Sequence, residues 1–175
     1  GMKTVVIDPR RVGIGSQADI LLQPRPGTDG ALALALIHCL MEESWYDAGF
    51  ARQWTNGSFL LGTATNKVVT EADLVANGAA NRYLVWDEIQ NQAVIYDPST
   101  GGYERDNIQP ALFGRRALKG RSGEEIACMP VFEKLGEIAA AYAPERSEKI
   151  TWVPAKKVWR TALLLAHNRP VSMYM

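Results

Sequence analysis

The run from Gly30 to Glu43, Gly-Ala-Leu-Ala-Leu-Ala-Leu-Ile-His-Cys-Leu-Met-Glu-Glu, constrains this chain more than any other stretch. It is rich in the best helix formers, and its apolar side chains run nearly all the way round. A helix of that kind belongs between layers rather than half in water. Pro26-Gly27 breaks the chain before it, and Thr28 or Asp29 offers the cap that a helix start needs. With 175 residues, 47% of them hydrophobic, there is enough chain to build those layers. Disordered and disulfide-dense classes are thereby excluded.

Around that helix the grammar is mixed. Val5-Val6-Ile7 has the composition of a strand buried on both faces, and Asp8-Pro9-Arg10 stops it. A second apolar run, Asp19–Gln23, is closed by Pro24-Arg25-Pro26-Gly27. A short helix is expected over Tyr46–Trp54, with Asn56-Gly57 ending it. From Ser58 to about Met129 helical periodicity disappears. There Phe59-Leu60-Leu61, Tyr83–Trp86 and Ala93–Tyr96 alternate with turn clusters, and the last two runs read as a hairpin. Helical spacing returns at Pro130 and runs to about Tyr142; Pro144 opens a short helix and Pro154 opens Ala155–Ala166. The last of these sets Val158, Leu163 and Ala166 on one side and Lys156, Lys157 and Arg160 on the other. Val171–Met175 reads as a final strand. The expectation is one α/β domain over residues 1–175, with a β-rich insertion at 58–129.

Nineteen basic side chains balance nineteen acidic ones, so a nucleic-acid binder working by counterion release is disfavoured. The most apolar run, Ala31–Met41, falls short of the roughly 18 residues a membrane span needs and contains His38. The start, Gly1-Met2-Lys3-Thr4, leads straight into an apolar strand without a signal-peptide layout. Cys39 and Cys128 are too far apart for a CxxC site and too few for an iron–sulfur cluster, so no metal ligands are assigned.

Three features could carry chemistry. Gly13-Ile14-Gly15-Ser16-Gln17-Ala18 matches the G-x-G-x-x-A pattern of dinucleotide-binding turns. Too few residues remain before Pro24 for the crossover helix this mechanism requires, so a flexible loop is the better reading. Asp8 stands at the carboxyl end of the first strand, where a carboxylate can accept ribose hydroxyls or simply end the strand in a turn. Pro26-Gly27-Thr28-Asp29 stands at the mouth of the apolar helix, where backbone N–H groups are free. Asp29 there can cap the helix. Alternatively, its carboxylate can accept two parallel hydrogen bonds from an edge such as guanine N1–H and N2–H₂. His38 and Cys39 read as a packed pair in the apolar helix. Arg115, Arg116, Lys119 and Arg121 read as a solvated loop, and Trp45, Trp54, Trp86, Trp152 and Trp159 as packing residues.

Several of these pieces follow one another in a recognisable order. Val5-Val6-Ile7-Asp8-Pro9-Arg10, Ala18-Asp19, Arg25-Pro26-Gly27-Thr28-Asp29-Gly30 and Glu42-Glu43…Tyr46-Asp47…Phe50 resemble the middle of molybdopterin oxidoreductase catalytic subunits, the dimethyl-sulfoxide-reductase superfamily. Tyr142-Ala143-Pro144-Glu145-Arg146 and Ile150-Thr151-Trp152-Val153-Pro154-Ala155 resemble a later segment of the same subunits. The resemblance implies a Rossmann-like three-layer domain with a mainly parallel sheet, holding the guanosine end of a molybdopterin guanine dinucleotide. It implies Asp8, Pro9 and Arg10 along the ribose and phosphate, and Gly27, Thr28 and Asp29 at the guanine, with Asp29 reading its N1/N2 edge. Where family members often carry Thr and Ala, this chain has Val12 to Ser16.

No catalytic residue is implied within the chain. Molybdenum or tungsten and an iron–sulfur cluster are expected elsewhere in a larger subunit, of which this chain would be a fragment. The remaining domains of that subunit, and an electron-transfer subunit, are the implied partners. A free-standing NAD-type dinucleotide-binding domain, with a helix directly after Ala18, and a non-catalytic interaction module of the same fold are the alternatives.

Overall fold

The structure is a computed structural model that describes residues 1–172. Along the chain run β1 (Val5–Ile7), β2 (Ile20–Leu22), α1 (Asp29–Glu42), α2 (Ala48–Trp54) and β3 (Leu60–Gly62). There follow α3 (Glu71–Leu74), β4 (Tyr83–Asp87), β5 (Gln92–Asp97), β6 (Gly102–Tyr103), β7 (Arg116–Lys119) and β8 (Glu125–Pro130). Three helices come last: α4 (Val131–Ala140), α5 (Pro144–Thr151) and α6 (Ala155–His167). These elements assort into two units, residues 1–46 with the chain from 136 onward, and residues 47–135.

In the first unit β1 and β2 pair in parallel, Val5 opposite Ile20 and Ile7 opposite Leu22. Parallel neighbours need a crossover of about a dozen residues. Residues 8–19 supply it, wound into a 3-10 turn at Gly13–Ser16. Ile20 and Leu22 of β2 meet Leu32, Ala35 and Cys39 of α1, and Val153, Val158 and Ala162 close the core. Positions 32, 35 and 39 form one stripe at helical spacing, and α1 packs that stripe against α5 and α6. The expectation of a helix buried all round needs correcting. Leu34, Leu36, Ile37 and Met41 are half-buried and Ala33 is exposed. Pro144 opens α5 as expected, since a missing N–H costs nothing at a helix start. Val171 and Ser172 have no regular structure, and the rest of the strand expected over Val171–Met175 lies outside the described residues.

The second unit holds two three-stranded sheets, ordered β3-β8-β7 and β4-β5-β6. Its core is Leu60, Val69, Leu84, Leu118 and Cys128. Both sheets are antiparallel throughout. The chain is thus mixed α/β, as expected: the first unit's β1–β2 pair is parallel, and the antiparallel sheets fall within residues 60–130. Connection length accounts for the difference. A short turn from Asp87 to Gln92 can only return β5 antiparallel to β4, as the hairpin signal implied.

Of the basic run expected as a solvated loop, Arg116 and Lys119 lie on a strand, β7, while Arg115 and Arg121 flank it and are exposed. Leu118 points inward, and the Arg116 guanidinium lies 5.2 Å from the Trp86 ring centroid. Arg82 fastens three segments at once, with Glu71 at 3.1 Å, Asp97 at 3.2 Å and Glu104 at 2.7 Å.

Asp87 is fully buried at the end of β4. Burial alone would push its pKa up. Backbone N–H groups of Gln109 (2.9 Å), Ile89 (3.1 Å) and Gln90 (3.2 Å) outweigh that and hold it below the ordinary 3.8. A carboxyl whose pKa is depressed in the fold stabilises the fold above its unfolded pKa. That contribution is lost as pH falls through the folded value. Asp87→Asn is therefore expected to cost about 1–3 kcal/mol at neutral pH. Urea unfolding should show this gap narrowing as pH falls below 3.8; a gap that is constant with pH would contradict the account. In the first unit, Leu32→Ala is expected to cost about 2–5 kcal/mol, because its side chain is 2% exposed and its neighbours are fixed by α5 and α6. A loss well under about 1 kcal/mol would mean that this stripe is not packed.

Candidate functional site

The two segments singled out from the sequence lie at one edge of the β1–β2 pair. β1 ends at Ile7 and β2 at Leu22, and the chain continues from each end into a candidate segment. The Asp8 N–H donates to the Leu22 carbonyl at 3.1 Å, extending the pairing by one residue. Gln23 Nε2 donates to the Pro9 carbonyl at 3.2 Å and ties the two loops together. Ligands of parallel α/β sheets collect at such a carboxyl edge.

Asp8 is turned onto its own loop. Its Oδ1 accepts from the Arg10 N–H at 2.7 Å and Arg10 Nε at 3.4 Å. The Arg10 backbone bond is the main reason its pKa lies below 3.8, with partial desolvation opposing and the guanidinium adding a smaller pull. Asp8 Oδ2 has no hydrogen-bond partner among the described residues, so one acceptor remains for a hydroxyl. Pro9 and Arg10 are exposed.

At the mouth of α1 the cap differs from the sequence expectation. Thr28 is the N-cap residue, yet its hydroxyl donates back to the Arg25 carbonyl at 2.6 Å and caps nothing. The Thr28 carbonyl takes the Ala31 and Leu32 N–H groups at 3.1 and 3.2 Å. Asp29 begins the helix, is exposed, and has no hydrogen bond or ion pair among the described residues. The N–H groups of Asp29 and Gly30 are also without a partner among them. An acceptor carboxylate and two donors therefore stand together and uncommitted, on a helix end of positive character. Gly27 has φ +82°, a left-handed conformation that a side chain resists. A Cβ placed on Gly27 or Gly30 would meet nothing within 4 Å, so the turn faces open space.

Hydrogen bonds from the α5–α6 junction hold this mouth in place. The Arg25 N–H donates to the Thr151 carbonyl at 2.8 Å, and Ser147 Oγ to the Ala31 carbonyl at 3.3 Å. Thr151, fully buried, donates to the Ser147 carbonyl at 2.9 Å and accepts from the Val153 N–H at 3.2 Å.

Sequence reading missed two neighbours of the site. Trp152 is 67% exposed, has φ +65°, and lies with its ring 5.7 Å from the Arg25 guanidinium carbon. Trp54, at 69% exposure, also departs from the packing role. No sequence signal marks a left-handed tryptophan. The second is a cleft lined by Arg11, Gly15, Ser16, Asp19, Lys157 and Arg160. The basic side of the last helix was its visible trace.

The remaining motifs resolve simply. Gly13–Ser16 is a 3-10 turn, and the residues after Ala18 form β2 rather than a crossover helix. That removes the free-standing NAD-type reading. Cys39 and Cys128 are buried, which pushes their thiols up to about 12 and about 11, so neither is a ready thiolate. His38 meets Trp159 edge-on at 6.4 Å. Among the described residues no group of His, Cys, Asp or Glu could hold a metal ion, and no helix is long and apolar enough to cross a membrane.

No protein-family model matches the chain. It is similar to perchlorate reductase subunit alpha of Dechloromonas aromatica (strain RCB), 33% identical, over 97% of this chain and 21% of that protein. It is also similar to chlorate reductase subunit alpha of Ideonella dechloratans, 31% identical, over 89% of this chain and 17% of that one. Among solved structures it resembles acetylene hydratase from Pelobacter acetylenicus. The TM-score is 0.52 at 21% identity, over 96% of this chain and 13% of that one, a likeness of fold. The chain therefore spans about a fifth of the length of the curated relatives it matches.

The turn itself can be tested. Because an added Cβ at Gly27 has no clash, Gly27→Ala should cost only the left-handed backbone, about 1–2 kcal/mol in denaturant unfolding. An unchanged stability would show that the turn does not hold that conformation in solution.

Proposed function

The chain is a homologue of the molybdopterin oxidoreductase catalytic subunits, the dimethyl-sulfoxide-reductase superfamily, and on that premise we propose that it holds the guanosine end of a molybdopterin guanine dinucleotide. The observation that carries this reading is the uncommitted Asp29 carboxylate at the mouth of α1, beside two free backbone N–H groups. Guanine offers N1–H and N2–H₂ as parallel donors, which one carboxylate can accept together. Adenine offers no such pair. Gly27 and Gly30 leave room for a base to approach the backbone. Asp8 Oδ2 supplies an acceptor for a ribose hydroxyl, and Arg10, largely exposed, supplies a cation for phosphate. The donor and acceptor set on this edge fits the group.

In this reading residues 1–175 are one α/β domain of a larger subunit, and residues 58–129 are its β-rich insertion. The chain supplies no catalytic residue. When bound, the cofactor supplies two-electron redox or oxygen-atom transfer at molybdenum or tungsten. The metal, and any iron–sulfur cluster, would be held by other parts of the subunit. The relatives named above are alpha subunits, which supports an electron-transfer partner subunit. The half-buried apolar flank of α1 is consistent with a domain that has neighbours.

The test is nucleotide discrimination. GMP should raise the melting temperature of the chain and AMP should not. Asp29→Asn should abolish the difference, because an amide cannot accept both donors. Equal shifts for the two nucleotides, or discrimination that survives the substitution, would overturn the guanosine reading.

A further inference from the structure

We propose that the cleft between the β1–β2 crossover and α6 is an anion site that takes a phosphate or diphosphate group. Its volume is about 230 Å³, below the roughly 300–1,000 Å³ of pockets that enclose drug-sized ligands. It suits a small anion. The walls are cationic. Arg11 comes from the crossover, and Lys157 and Arg160 lie one helical turn apart on α6.

These charges are largely uncommitted. Arg11 has no hydrogen bond or ion pair among the described residues. Arg160 has no hydrogen bond among them, and its charge acts on Asp19 only through space. Asp19 is already satisfied by Lys3 Nζ at 2.8 Å and the Thr4 N–H at 2.9 Å. Lys157 Nζ is held on the Leu21 carbonyl at 3.0 Å, which fixes its position without neutralising it. Subtracting the Lys3–Asp19 pair leaves Arg11, Lys157 and Arg160 facing one concavity. A low-dielectric cleft lined by one sign of charge concentrates the opposite ion. Two guanidinium groups add the forked geometry that phosphate oxygens accept. Ala18 and Asp19, whose N–H groups have no partner among the described residues, also line the cleft.

This site shares no residue with the guanosine reading and does not rest on it. The anion could be free, or it could be the diphosphate of a nucleotide whose base lies at α1. Calorimetric titration of the 175-residue chain with inorganic diphosphate, GMP and GDP separates these sources. Inorganic diphosphate should bind, more weakly as salt rises. Arg11→Gln and Arg160→Gln should each weaken it roughly tenfold. Lys156→Gln carries the same charge change outside the cleft and should alter it by less than about twofold. All three variants should melt like the parent without ligand, since none of these side chains makes a hydrogen bond among the described residues.

A GDP affinity above that of GMP, lost in Arg160→Gln, would identify the anion as part of a nucleotide. Diphosphate binding with no such gain would identify a free anion; either result supports the cleft. No diphosphate binding, binding indifferent to Arg11→Gln and Arg160→Gln, or an equal loss in Lys156→Gln would overturn it. Asp29→Asn should leave diphosphate binding unchanged, so failure of the guanosine reading remains a separate result.

Discussion

The first unit depends on how the end of α5 and the start of α6 grip the front of α1. The Arg25 N–H bond to the Thr151 carbonyl, at 2.8 Å, fixes the loop that leads into the helix. Ser147 and Thr151 spend their buried hydroxyls on the same junction. Behind them the stripe Leu32, Ala35 and Cys39 packs against Val153, Val158 and Ala162. Together these set the mouth of α1 at the carboxyl edge of β1–β2. The edge then presents Asp29 and two N–H groups without further help, because the Thr28 hydroxyl that could have capped them is turned to Arg25.

Much of this was legible in the sequence where one residue type decides local geometry. Pro144 and Pro154 marked the openings of α5 and α6, and the turn-flanked runs before and after residue 90 marked the β4–β5 hairpin. The positions of Asp8 and Asp29 at element ends were also legible, since Pro9 stops a strand and Pro26-Gly27 precedes a helix. What was not legible depends on contacts between distant segments. Leu118 turns a basic run into a strand by pairing with β8, and no local signal announces that pairing. That the first unit's parallel sheet has two strands among the described residues was not legible either. Composition made α1 look evenly apolar, while packing uses only one stripe of it.

The basic residues show the same division. The sequence set Lys156, Lys157 and Arg160 together on one side of a helix. The fold separates them, turning Lys157 and Arg160 to the crossover, opposite Arg11, and leaving Lys156 outside the cleft. A neutral chain can therefore gather three cationic side chains around one concavity. The second unit spends its charges differently. Arg82 is ringed by Glu71, Asp97 and Glu104, and buried Asp87 is satisfied by three backbone N–H groups, so these charges hold the fold together.

The central claim is that a guanine base is read at the mouth of α1. Amide NMR of the chain titrated with GMP addresses it most directly, because it locates the contact rather than inferring it from stability. The account predicts the largest shifts at Gly27, Thr28, Asp29 and Gly30, with smaller ones at Asp8 and Arg10. Shifts centred in residues 47–135, or none at the start of α1, would contradict it.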